Sequence, residues 1–161
     1  ITGCDGYIGW PFFLKTALKN KEYKIIGVDN FGRRKWVKEV KEKSFTKIYS
    51  LNERLKELKK ISKRKNFRFI NLDLTNYKKT SSLIKKFKPD IIFHLAAQPS
   101  APYANSNPQR ATYTNYNNNQ STLNMLWALK KNNLLKTIFV ETTTTGYMEL
   151  QISTLMRVLI F

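Results

Sequence analysis

The sequence predicts an α/β fold built on a doubly wound parallel sheet, and three observations point to it. Apolar strand-like runs alternate with amphipathic helical runs along the chain. One run, Ile91-Ile92-Phe93-His94-Leu95, is short and almost continuously apolar, the pattern of a strand buried on both faces. The chain also opens on Ile1-Thr2-Gly3-Cys4-Asp5-Gly6-Tyr7-Ile8-Gly9-Trp10, a G-x-x-G-x-x-G finger between a strand end and a helix start. Only Ile1 and Thr2 precede the first glycine, so the sheet is expected to be truncated at its beginning.

The elements follow in order. Residues 7–20 read as a helix with Ile8, Phe12, Leu14, Ala17 and Leu18 on its apolar side. Pro11 falls in its first turn, where a missing N–H is harmless. Lys24-Ile25-Ile26-Gly27-Val28 is a strand ending in Asp29. Residues 30–66 form an insertion in which Leu51, Leu55, Leu58 and Ile61 keep helical spacing. Phe67-Arg68-Phe69-Ile70-Asn71-Leu72 is the next strand, followed by Asp73-Leu74. Residues 76–88 read as a helix carrying Leu83, Ile84 and Phe87, broken by Pro89. After the strand at 91–95, a long helix spans about 109–132 with Tyr113, Leu123, Leu126 and Leu129. Thr137-Ile138-Phe139-Val140 is the last predicted strand.

Composition narrows the class. The 161 residues are 42% hydrophobic and 13% aromatic, which suits a folded core and argues against disorder. No apolar run reaches the length of a membrane span, and no signal peptide is visible. The single cysteine, Cys4, excludes an internal disulfide and fits a reducing, cytoplasmic setting. The net charge of +18 raises nucleic acid or a membrane surface as partners. Its lysines, however, interleave with core-spaced Leu and Ile and follow no nucleic-acid-binding motif. They read as solvated helix faces, and no nucleic-acid partner is expected. His94 reads as a core strand residue rather than a catalytic one.

The glycine finger makes a checkable demand: a strand before it, a helix after it, and a carboxylate about 20 residues on. Asp29 stands 20 residues after Gly9, at the end of a strand. The glycines Gly3, Gly6 and Gly9 let the backbone turn tightly and approach a pyrophosphate at the helix N-terminus. The Asp29 carboxylate can accept from ribose hydroxyls and repels a 2′-phosphate, which favours NAD over NADP. Arg33 and Arg34 work against that preference, because a nearby arginine can hold a 2′-phosphate. No metal site is expected.

Taken together, the glycine finger, Val28-Asp29-Asn30, Asp73-Leu74, and Asn118 with Thr122 and Asn124 resemble the extended short-chain dehydrogenases/reductases, the group of NAD-dependent nucleotide-sugar epimerases and dehydratases. A narrower resemblance runs through Asp5 to Trp10, Asp29-Asn30 with Arg33-Arg34, Gln98 with Ser100-Ala101-Pro102-Tyr103, and Tyr113-Thr114 with Asn117-Asn118. These runs are similar to the UDP-sulfoquinovose synthase family. The chain departs from it at Pro99, where plant members carry arginine, and at Ser121, which replaces a usual glycine. Glu141 to Thr145 matches the family's run only loosely.

The resemblance implies a Rossmann-like domain and an enzyme that oxidises UDP-glucose at C4 with bound NAD. Water then leaves across C5 and C6, sulfite adds at C6, and C4 is reduced again. It implies that Gly3, Gly6 and Gly9 cradle the pyrophosphate, with backbone N–H groups of Tyr7 and Ile8. Asp29, Asn30 and Arg33 would bind the adenosine end, and Asp73 and Leu74 would flank the adenine. Gln98, Ser100 and Tyr103 would lie by nicotinamide and sugar, Asn118 would support the cofactor site, and Thr144 would be the active-site threonine. A UDP-sugar, and sulfite with it, would be the substrates of a homodimeric full-length enzyme.

The same resemblance calls for a Tyr-x-x-x-Lys base, in which the lysine lowers the tyrosine pKa. No tyrosine of the chain has lysine four residues later; Tyr147 is followed there by Gln151. The expected pair would stand roughly 35–40 residues beyond Thr144. Residues 1–146 are therefore read as a partial NAD-binding domain with the sugar-binding domain absent. Residues 147–161 are read as a non-native tail. With permitted codons, the frame starting on the last base of Tyr147 spells Y-G-T-P-N-I-D-I-D-E-G, which resembles what the family carries there. A one-base deletion near Gly146 is expected to account for it. Two other readings stay open: another NAD-dependent epimerase or dehydratase, and a non-catalytic NAD-binding module.

Overall fold

The computed structural model describes residues 1–19, 22–62, 66–141 and 158–159. The chain divides into two compact units: Ile1 with residues 3–71, and Thr2 with residues 72–161.

In the first unit, α1 (Gly9–Lys19) is followed by β1 (Ile25–Asp29), α2 (Gly32–Glu39), α3 (Leu51–Ser62) and β2 (Phe67–Asn71). β1 and β2 pair in parallel, from Ile25 opposite Phe67 to Asp29 opposite Asn71. Ile1 and Cys4 also pair with β1: the Val28 N–H donates to Ile1 at 2.9 Å and the Cys4 N–H to Val28 at 3.2 Å. The core gathers Cys4, Phe13, Ala17, Ile25, Leu58 and Phe67. α1 thus buries Gly9, Phe13 and Ala17. The predicted apolar face holds at Ala17, which is buried, and at Leu14, which packs on the core, but Ile8 and Leu18 are exposed and Phe13 is buried instead. Gly27 explains the choice, since a Cβ there would meet the Cys4 sulfur at 2.7 Å and the Phe13 ring at 3.0 Å. β1 has room for that ring only because Gly27 lacks a side chain.

The insertion folds as predicted around 51–62. α3 starts on a capping box in which Ser50 N–H donates to Glu53 Oε2 at 2.7 Å and Glu53 N–H to Ser50 Oγ at 3.3 Å. It buries Leu51 and Leu58, while Ile61 is exposed. α2 was not predicted; its start is tied by Asn30, whose Oδ1 accepts from Gly32 N–H at 2.8 Å.

The second unit runs α4 (Tyr77–Phe87), β3 (Ile91–His94), α5 (Ala101–Ala104), α6 (Pro108–Lys131), β4 (Ile138–Glu141) and β5 (Val158–Leu159). β3 and β4 are parallel, Ile91 opposite Ile138 through His94 opposite Glu141, and β5 pairs antiparallel with β4. Thr2 bridges His94 in parallel. Caps set the helix ends. Asn76 accepts from Lys79 N–H at 3.1 Å, and Lys88 closes α4 in the left-handed region just before Pro89. Asn107 accepts from Arg110 N–H at 2.9 Å with Pro108 in the first turn of α6. α4 packs on α6, which buries Asn117, Ser121, Asn124, Met125, Ala128 and Leu129. The predicted face was partly wrong here too: Leu123 is exposed. The lysines of α3 and α4 at 56, 59, 60, 78, 79, 85 and 86 are exposed.

Candidate functional site

The glycine finger folds into a tight turn closed on one carbonyl. Gly3 takes φ 67°, where a side chain is strained. Its carbonyl accepts from Gly6 N–H at 3.0 Å. A Cβ at Gly9 would fall 1.9 Å from that same oxygen, so the first residue of α1 rests directly on it. The Trp10 N–H donates to Gly6 at 3.1 Å, which leaves Tyr7 and Ile8 as an exposed corner. Among the described residues no carbonyl accepts from their N–H groups. Free N–H groups at the positive end of a helix form an anion cradle.

Asp29 stands at the end of β1 beside this turn. Its Oδ2 accepts from Asp5 N–H at 2.8 Å and its Oδ1 from Phe31 N–H at 2.7 Å. Burial raises its pKa above the ordinary aspartate value, and those two hydrogen bonds oppose the rise. Each oxygen keeps a further lone pair for a ribose hydroxyl. Phe31 takes φ 59° and packs on Phe69, ring centres 5.4 Å apart.

Two arginines of this unit converge on Asp5, whose side chain is 5% exposed. Arg34 pairs with it at two points: Nε to Oδ2 at 2.6 Å and Nη2 to Oδ1 at 3.0 Å. Arg54 of α3 bonds Oδ1 through Nη2, with its guanidinium 4.4 Å over the Trp10 ring. The hydrogen bond to Asp5 raises the Arg34 pKa, whereas burial lowers that of Arg54. Arg33 is exposed, 6.0 Å from the Tyr7 ring centre.

The second unit gathers the other predicted residues. Asn118 grips the Gln98 backbone twice: Oδ1 accepts from Gln98 N–H at 2.8 Å, and Nδ2 donates to Gln98 O at 3.1 Å. Gln98 is buried, and its Oε1 accepts from Ser100 N–H at 3.0 Å. Ser100 caps α5 by accepting from Tyr103 N–H at 3.3 Å, and Tyr103 is buried under Arg110, 4.8 Å from its ring centre. Asp73 is an exposed turn residue whose Oδ1 accepts from the N–H and hydroxyl of Thr75. Leu74 is buried, and its carbonyl accepts from Asn124 at 2.8 Å and from Thr80 at 3.1 Å. Thr144 lies outside the described residues.

A sequence profile of the NAD dependent epimerase/dehydratase family matches residues 1–151. The chain belongs to this family.

Within the family, the chain is 36% identical over 129 residues to UDP-sulfoquinovose synthase of Sulfolobus acidocaldarius, covering 80% of this chain and 32% of that protein. It is 32% identical over 131 residues to the chloroplastic UDP-sulfoquinovose synthase of Spinacia oleracea, covering 81% and 27%. The chain thus spans about a third or less of the length of these curated relatives. Among solved structures, UDP-glucose 4-epimerase from Bifidobacterium longum in complex with NAD+ and UDP aligns with a TM-score of 0.68 at 19% identity, over 98% of this chain and 41% of that one. The UDP-Glc/GlcNAc 4-epimerase of Campylobacter jejuni aligns at 0.63 with 22% identity, over 88% and 35%. These likenesses establish the Rossmann-like α/β fold with parallel strands. NAD is the cofactor of the family.

A glycine turn and an acidic strand end stand side by side in the first unit, Asp5 N–H donating to Asp29 Oδ2 at 2.8 Å. Sequence reasoning missed Arg54, Gly27 and the load on Asp5. Arg54 had one signal: the Ser50-x-x-Glu53 capping box starts a helix that places residue 54 in its first turn. His94 is buried as expected, with Nδ1 2.8 Å from the Thr2 hydroxyl, which also accepts from Leu95 and Ala96 N–H. Burial lowers its pKa to about 4. Among the described residues no cluster suits a metal ion, and no helix is long and apolar enough to cross a membrane.

Proposed function

We propose that this chain is the NAD-binding part of a nucleotide-sugar-modifying enzyme, most like UDP-sulfoquinovose synthase. The observation that carries the reading is the Gly3–Gly9 turn with the Asp29 carboxylate held beside it by Asp5 N–H. The turn and the Tyr7 and Ile8 N–H groups would receive the pyrophosphate, and Asp29, with Asn30 and Arg33 near, the adenosine ribose. Asp73 and Leu74 would border the adenine. Bound NAD would supply a hydride acceptor for the sugar.

The peptide that Asn118 fixes at Gln98, with Ser100 and Tyr103, would orient a UDP-sugar, and Thr144 would act beside it. Similarity to two UDP-sulfoquinovose synthases favours UDP-glucose and sulfite as substrates in the whole enzyme. A cytoplasmic homodimer is the assembly proposed for it. The second reading is a different sugar epimerase. It draws on the 25% identity over 147 residues to UDP-glucuronate 4-epimerase of Thermodesulfobacterium geofontis.

Calorimetric titration of the purified 161-residue chain with NAD tests the core of the proposal. Saturable binding is expected; none at millimolar NAD would refute it. With UDP-glucose and sulfite added, no UDP-sulfoquinovose should form, because no tyrosine here has the partner lysine. In the whole enzyme, sulfite-dependent product supports the synthase reading, and C4 epimer without sulfite supports the alternative.

A further inference from the structure

Arg33 and Arg34 follow Asp29 by four and five residues, so by sequence either could neutralise a ribose 2′-phosphate. The structure treats them differently. Arg33 is exposed, whereas both donor directions of Arg34 facing Asp5 are engaged. Its Nη2 also donates to the Tyr49 carbonyl at 3.1 Å. A planar guanidinium held at two points on a carboxylate is fixed in direction as well as position.

We infer that Asp5 is a specificity-determining residue: by pairing with Arg34 it withholds that cation from the adenosine end and so favours a free ribose 2′-hydroxyl over a 2′-phosphate. The inference rests on the dinucleotide reading above and deepens it.

Charge balance supports the assignment. Asp5, Asp29, Arg34 and Arg54 carry two negative and two positive charges, so these four groups balance one another, with Arg33 an exposed cation outside the network. Neutralising Asp5 leaves one positive charge over. Arg34 is the arginine free to carry it elsewhere, because its side chain is 34% exposed against 15% for Arg54. Arg54 is further held over Trp10. Asp5 also donates its N–H to Asp29, so the residue that restrains Arg34 is the same one that orients the ribose-binding carboxylate. A backbone donor survives side-chain replacement, so Asp5→Asn separates the two roles.

The test is calorimetric titration of NAD and NADP into the 161-residue chain, with circular dichroism melts as a folding control. The unaltered chain should prefer NAD. Asp5→Asn should shift the ratio of affinities toward NADP by about ten-fold or more, through a gain in NADP binding, the scale of one charge-assisted contact. The double variant Asp5→Asn/Arg34→Ala should lose that gain. An unchanged ratio, or equal weakening of both nucleotides, overturns the inference and marks Asp5 as purely structural. Binding of neither nucleotide by the unaltered chain defeats the dinucleotide reading instead. If Asp5→Asn does not fold, Arg34→Ala alone decides: the inference expects an NADP affinity within about three-fold of the original. A ten-fold loss would show that Arg34 already serves the 2′ position.

Discussion

Asn118 holds both polar groups of a single peptide unit, accepting from the Gln98 N–H at 2.8 Å and donating to the Gln98 carbonyl at 3.1 Å. A side-chain amide is one of the few groups that can do both at once. It fixes the chain just beyond β3, where Gln98 in turn ties Ser100 and Ser100 caps α5. Asn118→Leu should therefore cost about 2 kcal/mol in urea unfolding, since two backbone groups lose their partners. Asn119→Ala, at the exposed next position, should cost under about 0.5 kcal/mol. Equal effects would show that the grip on Gln98 contributes nothing.

Gly9 and Gly6 rank differently against the Gly3 carbonyl. A Cβ would fall 1.9 Å from it at Gly9 and 3.0 Å at Gly6. Gly9→Ala should cost about 3 kcal/mol and weaken NAD binding more than ten-fold, because α1 must lift off the turn. Gly6→Ala should cost about 1 kcal/mol. Thermal melts and NAD titration of both variants check the order, and a reversed order would discard this account of the turn.

His94 should make stability depend on pH. Its folded pKa is lowered to about 4 by burial, below the 6.5 of the free side chain. The unfolded chain then binds the proton more readily. The contribution is complete above pH 6.5 and is lost as pH falls toward 4, up to about 3 kcal/mol. Denaturant melts between pH 7 and 4 should show a steeper loss for the unaltered chain than for His94→Asn. Parallel curves would place the acid sensitivity in other groups.

Cys4 should be inert in the folded chain. It is fully buried beside Phe13 and Gly27, and burial pushes its thiol up to about 12. A thiol-reactive dye at pH 8 should label it only after urea is added. Rapid labelling without urea would mean that the core of the first unit opens readily.

Helix positions were legible in the sequence more than helix faces. The 51–62 and 109–132 segments were recognisable from their apolar spacing. The buried side of α1 was legible only at Leu14 and Ala17; Phe13 was missed, because its burial turns on Gly27, a residue of another element that makes room for it. Leu123 matched the helical period of α6 yet is exposed, while Asn117, Ser121 and Asn124 are buried. Polar residues can be buried there because they bond across the fold: Asn124 donates to the carbonyls of Leu74 and Thr75, each at 2.8 Å.

The sequence by itself determined the cofactor motif and its family. A glycine turn and a carboxylate 20 residues later are local chemistry, and a few short runs of sequence displayed them. What only the tertiary structure decided is how the charges around that motif are shared. Asp5, Arg34 and Arg54 are separated by 29 and 49 residues. No periodicity links them, because their meeting depends on where the glycine turn, α2 and α3 pack. Ion pairing acts through space over a few ångströms, and only the folded chain sets that distance.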